Sequence, residues 1–169
     1  MEGINVFAVL VAAASSFVLG GLWYSPMLFG RLWNREAGQE PQVGHPAKVF
    51  TLSFTFAVIA AGAFATWLAP RPPLPHALTW GAVAGSCFVG ASFGINYQFA
   101  NRSALLWLID SGYHTAQFVL FGLIIGGSGT EGRIHRSAAL RSVSEVTLSP
   151  RAWRASKARL ARGEASDFR

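Results

Sequence analysis

Charge is scarce in this sequence and almost absent from half of it. Asp, Glu, Lys and Arg make up only 13% of the 169 residues, against about 25% in an average soluble domain. Four mainly apolar stretches, 4–23, 49–69, 77–95 and 105–126, each have about the 20 residues that a helix needs to cross a bilayer. The first three contain no Asp, Glu, Lys, Arg or His. The composition therefore excludes an ordinary soluble domain and predicts an all-α, four-helix transmembrane bundle.

Cysteine is nearly missing as well. The single Cys87 lies inside the third stretch, so a disulfide framework is excluded. His45, His76 and His135 lie outside the four stretches, and no His or Cys cluster has the spacing of metal ligands. No Ser or Cys stands in a recognisable nucleophile motif with a base. We therefore expect no metal site, no cofactor and no enzymatic activity.

Most of the positive charge belongs to the C-terminal end. Nine of the fourteen Lys and Arg residues follow residue 126, which divides the chain into a four-span domain, 1–126, and a basic tail, 127–169. Residues 127–130 have the Gly/Ser composition of a flexible linker, and the tail is predicted to be disordered. The alternative is a basic helix that begins at 149–150 and binds anionic lipid. Nucleic acid is not an expected partner.

Small residues recur four positions apart in each stretch, as in Gly81 and Gly85 of the third and Gly122 and Gly126 of the fourth. Such spacing lets helix backbones approach closely in lipid. The pattern favours contacts inside one bundle, and the alternative is a homo-oligomer that forms through the same faces.

The segment after the first stretch is predicted to form a short helix. Ser25 and Pro26 have the residue types of a helix start, and Gly38 is a natural stop. Between them, apolar residues such as Leu32 and Trp33 fall on one face. This pattern is typical of an amphipathic helix that lies in the membrane interface.

Three sequence blocks carry a family resemblance. The first stretch runs into WYSPMLFG at 23–30, and the later blocks are INYQF at 95–99 and LIDSGYH at 108–114. Together they resemble the DUF1761 family of small integral membrane proteins, over about residues 4–126. The resemblance implies a four-helix membrane domain of unknown function and carries over no catalytic residue. The positions of the first motif are Trp23, Tyr24, Ser25, Pro26, Phe29 and Gly30.

The fourth stretch contains the ionisable residues Asp110 and His114, followed by Gln117 on the same helical stripe. A carboxylate at the centre of a membrane helix costs about 2.5–3.5 kcal/mol on insertion scales, so it should face protein or water and find partners. Alternating helix directions bring other polar residues to the same side of the membrane. These candidates are Thr55, Ser92, Asn96 and Tyr97. We expect Asp110 to contact Thr55, Ser92 or Asn96.

Three functions are compatible with this polar layer. The protein is expected to be a structural or interaction module of the membrane, with the polar residues fastening its helices. The first alternative is a proton- or ion-coupled transporter of small solutes, which would require an oligomer because four helices alone rarely enclose a pathway. The second is a protein that binds a lipid or a small ligand. In each case the lipid bilayer is a partner, and the expected location is the bacterial cell (inner) membrane.

Overall fold

The computed structural model of the protein describes residues 4–38, 46–68 and 72–148, together with 154 and 157. Within these residues every regular element is a helix, which confirms the all-α prediction. The helices are α1 (Val6–Trp23), α2 (Gly30–Ala37), α3 (Pro46–Trp67), α4 (Leu74–Val83), α5 (Ala91–Phe99) and α6 (Ala104–Leu148), and a π-helical segment, Ala84–Gly90, joins α4 to α5. The chain divides into two units, one up to Thr130 and one from Glu131. The four membrane-spanning segments, the core and the candidate site described below belong to the first unit.

Four helical segments are long and apolar enough to cross a membrane, as the sequence predicts. They are Val6–Trp23, Ala47–Trp67, Leu74–Phe99 and Ala104–Ser128. The third begins three residues earlier than expected because a proline in the first turn of a helix gives up no hydrogen bond. Large apolar side chains such as Phe99, which is 91% exposed, cover the outside of the helices. That surface suits contact with lipid tails.

The last helix continues beyond the predicted end of the fourth span. α6 extends to Leu148, whereas the Gly/Ser composition of 127–130 predicts a linker there. Glycine weakens a helix by about 1 kcal/mol without forbidding it, and the first proline after 126 is Pro150. In the predicted basic helix after 149 the structure describes only Arg154 and Lys157, and both are helical. The rest of that segment lies outside the described residues.

The core is built from small side chains that bring the helices close together. Ala12, Ala13, Ala61 and Ala77 have no accessible surface, and larger groups such as Phe121 pack against them. Because lipid gives helices little hydrophobic reason to associate, such close packing is the main attraction between them.

Glycines form the tightest helix contacts in the bundle. A Cβ atom added to Gly81 or Gly85 would overlap the backbone of α6, and one added to Gly122 would overlap the carbonyl oxygen of Ala77 on α4. The small residues therefore make contacts inside one bundle, as the sequence favours. Assembly of several copies through such faces stays a prediction.

The π-helical segment is a feature that the sequence analysis missed. Gly85 and Gly90 lie within this segment and face α6, where a Cβ on Gly90 would lie 3.4 Å from the Cβ of Ser111. The Gly90 carbonyl accepts a hydrogen bond from the indole Nε1 of Trp107 at 2.8 Å. π turns are rare and occur frequently at functional sites, which makes this part of the third span a place to look for one.

The short helix after the first span exists but begins later than predicted. α2 starts at Gly30 rather than at Ser25 and Pro26, and it ends at Gly38 in the left-handed conformation, as expected. Residues 25–29 form turns instead. Two backbone bonds hold these turns in place, from the Phe29 N–H to the Trp23 carbonyl and from the Gly30 N–H to the Ser25 carbonyl.

Candidate functional site: a buried carboxylate beside an amphipathic cavity

The carboxylate of Asp110 is buried in the first turns of α6, where the residue is only 6% exposed. Its Oδ1 accepts hydrogen bonds from the Tyr24 hydroxyl and from Trp33 Nε1, both at 2.9 Å. Its Oδ2 accepts one from the Tyr97 hydroxyl at 2.6 Å. The indole N–H can only donate, and three donors directed at one carboxyl group match the acceptor capacity of a carboxylate. A single side chain thus ties together the end of α1, α2, α5 and α6.

The WYSPMLFG motif places two of these donors. Tyr24 follows α1 directly, and the indole Nε1 of Trp23 donates to the Ile109 carbonyl at 3.1 Å, next to Asp110 in the chain. The Leu28 N–H bonds to the Ser25 carbonyl, which closes a turn with Pro26 in the second position, where proline is favoured. The chain then reverses into α2, and that helix carries Trp33 to the carboxylate.

Gly30 has no room for a side chain in this turn. A Cβ atom there would overlap the carbonyl oxygen of Tyr24 and lie within 3 Å of the carbonyl oxygen of Ser25. Both are backbone atoms of the tight turn, so neither can rotate away. The motif therefore ends in glycine because the backbone of α2 starts against the backbone that ends α1.

Replacing Gly30 with alanine is expected to loosen α2 from the bundle. Relieving the overlap would shift the turn and move Trp33 off Asp110, at a cost of about 1–3 kcal/mol. Hydrogen–deuterium exchange should then become faster in the amides of α2 while α1 and α3 keep their protection. The matched control is Gly21→Ala, because a Cβ at Gly21 meets nothing within 4 Å. Equal exchange of α2 in both variants would contradict the role given to Gly30.

A further contact holds the other end of α2. The Arg102 Nη1 donates to the carbonyl of Ala37 at 3.1 Å, where a cation also interacts favourably with the helix dipole. Burial, together with the adjacent Asp110 carboxylate, raises the pKa of the Tyr24 hydroxyl above its usual range. Tyr24 therefore stays protonated and remains a donor to Asp110.

None of the three predicted partners of Asp110, which are Thr55, Ser92 and Asn96, forms a hydrogen bond with it. Thr55 donates to the Thr51 carbonyl at 3.0 Å and Ser92 to the Phe88 carbonyl at 2.7 Å, and both side chains are exposed, as is Asn96. Hydroxyls on membrane helices readily bond to their own backbone in this way. Tyr97, which the sequence analysis names in the same polar layer but not as a partner, is the residue of that layer that bonds to Asp110.

Tyr24 and Trp33 are the partners that sequence reasoning missed. From the sequence alone, Trp33 counts as an apolar residue of the short helix and Tyr24 only as a motif position, although each side chain has a polar hydrogen. Tyr24 ends the first span on the side of the membrane where the fourth span begins, which was the available signal.

His114 and Gln117 lie deeper on α6 than Asp110 and bond to each other. His114 Nδ1 is 2.8 Å from Gln117 Oε1. The imidazole ring packs against Phe93 and Tyr113, with both pairs of ring centroids 5.0 Å apart. The Tyr113 hydroxyl in turn donates to the Ser16 carbonyl on α1 at 3.1 Å.

A cavity of about 680 Å³ opens beside this group, between α1, α3, the π segment and α6. The polar residues of its lining are Ser16 and Tyr24, then Ser53 on α3, and Tyr113, His114 and Gln117 on α6. Most of the remaining lining is apolar. It includes Phe17, Phe50, Phe56, Ala57, Ala60, Val89 and Phe118. No Asp, Glu, Lys or Arg is among the described residues that line the cavity, so Asp110 lies behind Tyr24 rather than in the wall.

Metal binding has no support in this arrangement. Within the described ranges, no group of three or more His, Cys, Asp and Glu side chains is placed to hold a metal ion. What the site offers is hydrogen bonding at one end and apolar contact over the rest of its surface.

These features define a polytopic α-helical membrane protein with an amphipathic cavity between its helices. Residues 7–126 match the family model described as a protein of unknown function (DUF1761), and the chain belongs to this family. The resemblance of the WYSPMLFG, INYQF and LIDSGYH blocks is thereby confirmed. No curated protein and no solved structure matches the chain.

Proposed function

We propose that this membrane protein binds a lipid or another small amphipathic molecule in the cavity between α1, α3 and α6, and that it is not an enzyme. The observation that carries the proposal is the cavity itself. Its volume of about 680 Å³ falls in the range of ligand sites, which are mostly apolar with a few polar groups that orient the ligand. Tyr113, His114 and Gln117 are such groups here.

Two other functions have less support. A purely structural bundle does not require a space of this size between its helices, because helices that only support one another normally pack closely. An ion-coupled transporter would need an ionisable group within reach of its ion, and Asp110 is already bonded to Tyr24, Trp33 and Tyr97. Binding of a ligand that is not coupled to an ion requires no free ionisable group in the cavity.

The four apolar spans make the chain an integral membrane protein. Its assignment to the bacterial cell (inner) membrane is part of the proposal, because bacterial inner-membrane proteins span the bilayer as α-helices, whereas outer-membrane proteins span it as barrels. A homo-oligomer, if it forms, would present one such cavity for each copy.

Filling the cavity is the direct test. Gly21 lines it, and a Cβ there meets no atom within 4 Å, so Gly21→Phe should place a ring in the space without disturbing the fold. We expect lipid extracted from the purified native protein, measured by mass spectrometry, to include a species that survives detergent exchange and is lost from the variant.

The control is Gly127→Phe. A Cβ at Gly127 also meets nothing within 4 Å, and Gly127 does not line the cavity. Binding in the cavity would be refuted if the native protein, Gly21→Phe and Gly127→Phe all retained the same lipid species. It would also be refuted if the native protein retained no lipid species.

A further inference from the structure

We propose that the ligand is an uncharged amphiphile with one long apolar chain, whose headgroup carries a hydroxyl that bonds to both His114 and Gln117. This inference rests on the proposed function and specifies the chemistry of the ligand. It follows from which polar atoms of the cavity are still free, from the charges that the lining lacks, and from a second cavity that continues the first.

Most polar groups of the cavity already have protein partners. The Tyr24 hydroxyl donates to Asp110, the Tyr113 hydroxyl to the Ser16 carbonyl, and the Ser16 hydroxyl to the Ala13 carbonyl at 2.6 Å. These groups shape the polar wall but offer no further donor hydrogen.

His114 and Gln117 are the adjacent pair with capacity left, and the Ser53 hydroxyl on α3 is a further lining group with no hydrogen bond to the described part of the protein. The amide oxygen of Gln117 can only accept, so the proton between the two side chains belongs to His114 Nδ1. A neutral imidazole with its proton on Nδ1 has a bare Nε2, which is an acceptor, and the Gln117 amide still has its N–H donors. An acceptor and a donor side by side complement a hydroxyl, which donates one hydrogen bond and accepts others.

A charged headgroup does not fit the same place. The described lining has no Lys or Arg to pair with a phosphate and no Asp or Glu to pair with an ammonium group. Asp110, the nearby carboxylate, is already surrounded by its three donors. Moving an unpaired ion into such surroundings costs several kcal/mol, so an uncharged ligand is preferred.

The chain of the ligand would follow an apolar path through two adjoining cavities. A second cavity of about 390 Å³ shares Ala60, Val89 and Phe118 with the first and is otherwise lined by apolar groups that include Trp67 and Phe88. From Ala57 to Trp67 the path follows α3 for ~15 Å at 1.5 Å per residue. A long acyl or alkyl chain fits such a path, whereas a compact ligand would leave the second cavity empty.

Three probes with matched parts test the headgroup and the chain. They are monopalmitoylglycerol, palmitoyl lysophosphatidic acid and monobutyrylglycerol, each titrated against the full-length protein in nanodiscs by competition with a retained fluorescent lipid. We expect monopalmitoylglycerol to bind about tenfold more tightly than either of the others, because the second probe adds an unpaired charge and the third loses chain burial.

Variants of the pair test where the headgroup lies. His114→Phe and Gln117→Leu should each weaken the binding of monopalmitoylglycerol about fivefold, which corresponds to the loss of one hydrogen bond. Competition by hexadecane, which has no headgroup, should stay unchanged. Ser92→Ala is the control, since the Ser92 hydroxyl bonds to its own helix and does not line the cavity. An unfolding midpoint equal to that of the native protein would show that a variant with lower affinity is still folded. Gln117→Met serves in place of any variant that fails this criterion.

The outcomes separate the two proposals. Tighter binding of the phosphate probe, or native affinity in both His114→Phe and Gln117→Leu, would overturn the uncharged hydroxyl headgroup while cavity binding stands. Equal affinity for the long and short glycerides would overturn the chain path. Failure of every probe to displace the fluorescent lipid, together with Gly21→Phe behaving as native, would overturn cavity binding itself.

Discussion

Asp110→Leu is expected to lower the free energy of unfolding by about 3 kcal/mol or more. The leucine side chain has nearly the same size but cannot accept a hydrogen bond, so the donors of Tyr24, Trp33 and Tyr97 would lose their acceptor at once. An unsatisfied buried donor costs about 1–3 kcal/mol. The measurement is a titration of the folded protein in mixed micelles with sodium dodecyl sulfate, followed by tryptophan fluorescence.

The matched variant is Asp110→Asn, which should cost only about 1 kcal/mol. Its amide oxygen can accept from Tyr24 and Trp33, and its amide nitrogen can donate to the Tyr97 oxygen if that hydroxyl turns its own hydrogen away. If the Asp110→Leu and Asp110→Asn variants unfold at the same detergent fraction as the native protein, the Asp110 carboxylate does not hold α1, α2, α5 and α6 together.

The second large effect is expected from Gly85→Ala in the π segment. The added methyl group would overlap the Cα of Thr115 and the carbonyl of His114, and backbone atoms of a packed helix cannot rotate out of the way. Overpacking of this kind costs about 1–3 kcal/mol. The same titration measures it, and because His114 belongs to the contact, loss of the retained lipid should accompany loss of stability.

Gly62→Ala is the control for that experiment. Gly62 also lies in a membrane-spanning helix, but the atom nearest to its added Cβ is Val9 Cγ1 at 4.0 Å, which is an ordinary contact. Alanine there should be neutral or should stabilise α3, because it favours helix over glycine by about 1 kcal/mol. A similar loss of stability in Gly85→Ala and Gly62→Ala would mean that replacing any glycine weakens this bundle, whatever the surroundings of that glycine.

The sequence predicts the spans well because their signal is local. Length and lack of charge suffice to place a helix in lipid, and the four ranges agree with the structure within a few residues. The short helix after the first span was also predictable, although not its start, because Ser25 and Pro26 serve a turn that depends on contact between Gly30 and Tyr24.

The partners of Asp110 could not be derived in the same way. Depth in the membrane follows from counting residues, but the rotation of each helix about its axis follows from packing. Ser92 lies on the same helix as Tyr97 but bonds to its own backbone, and Thr55 lies on α3, which supplies no partner of Asp110. Trp33, in contrast, reaches the carboxylate from the short helix that the sequence predicts to lie in the interface. The π segment and the cavity depend likewise on contacts between helices, which no single stretch of sequence encodes.

The order of residues around the Asp110 carboxylate has a consequence for how the chain is made. Tyr24, Trp33 and Tyr97 all precede Asp110, and synthesis proceeds from the N-terminus. The three donors are therefore synthesised before their common acceptor, and they are paired only when the last span is inserted. A chain that stops short of α6 would keep three unmatched polar groups in or near lipid, which is the kind of defect that distinguishes an unfinished membrane protein from a finished one.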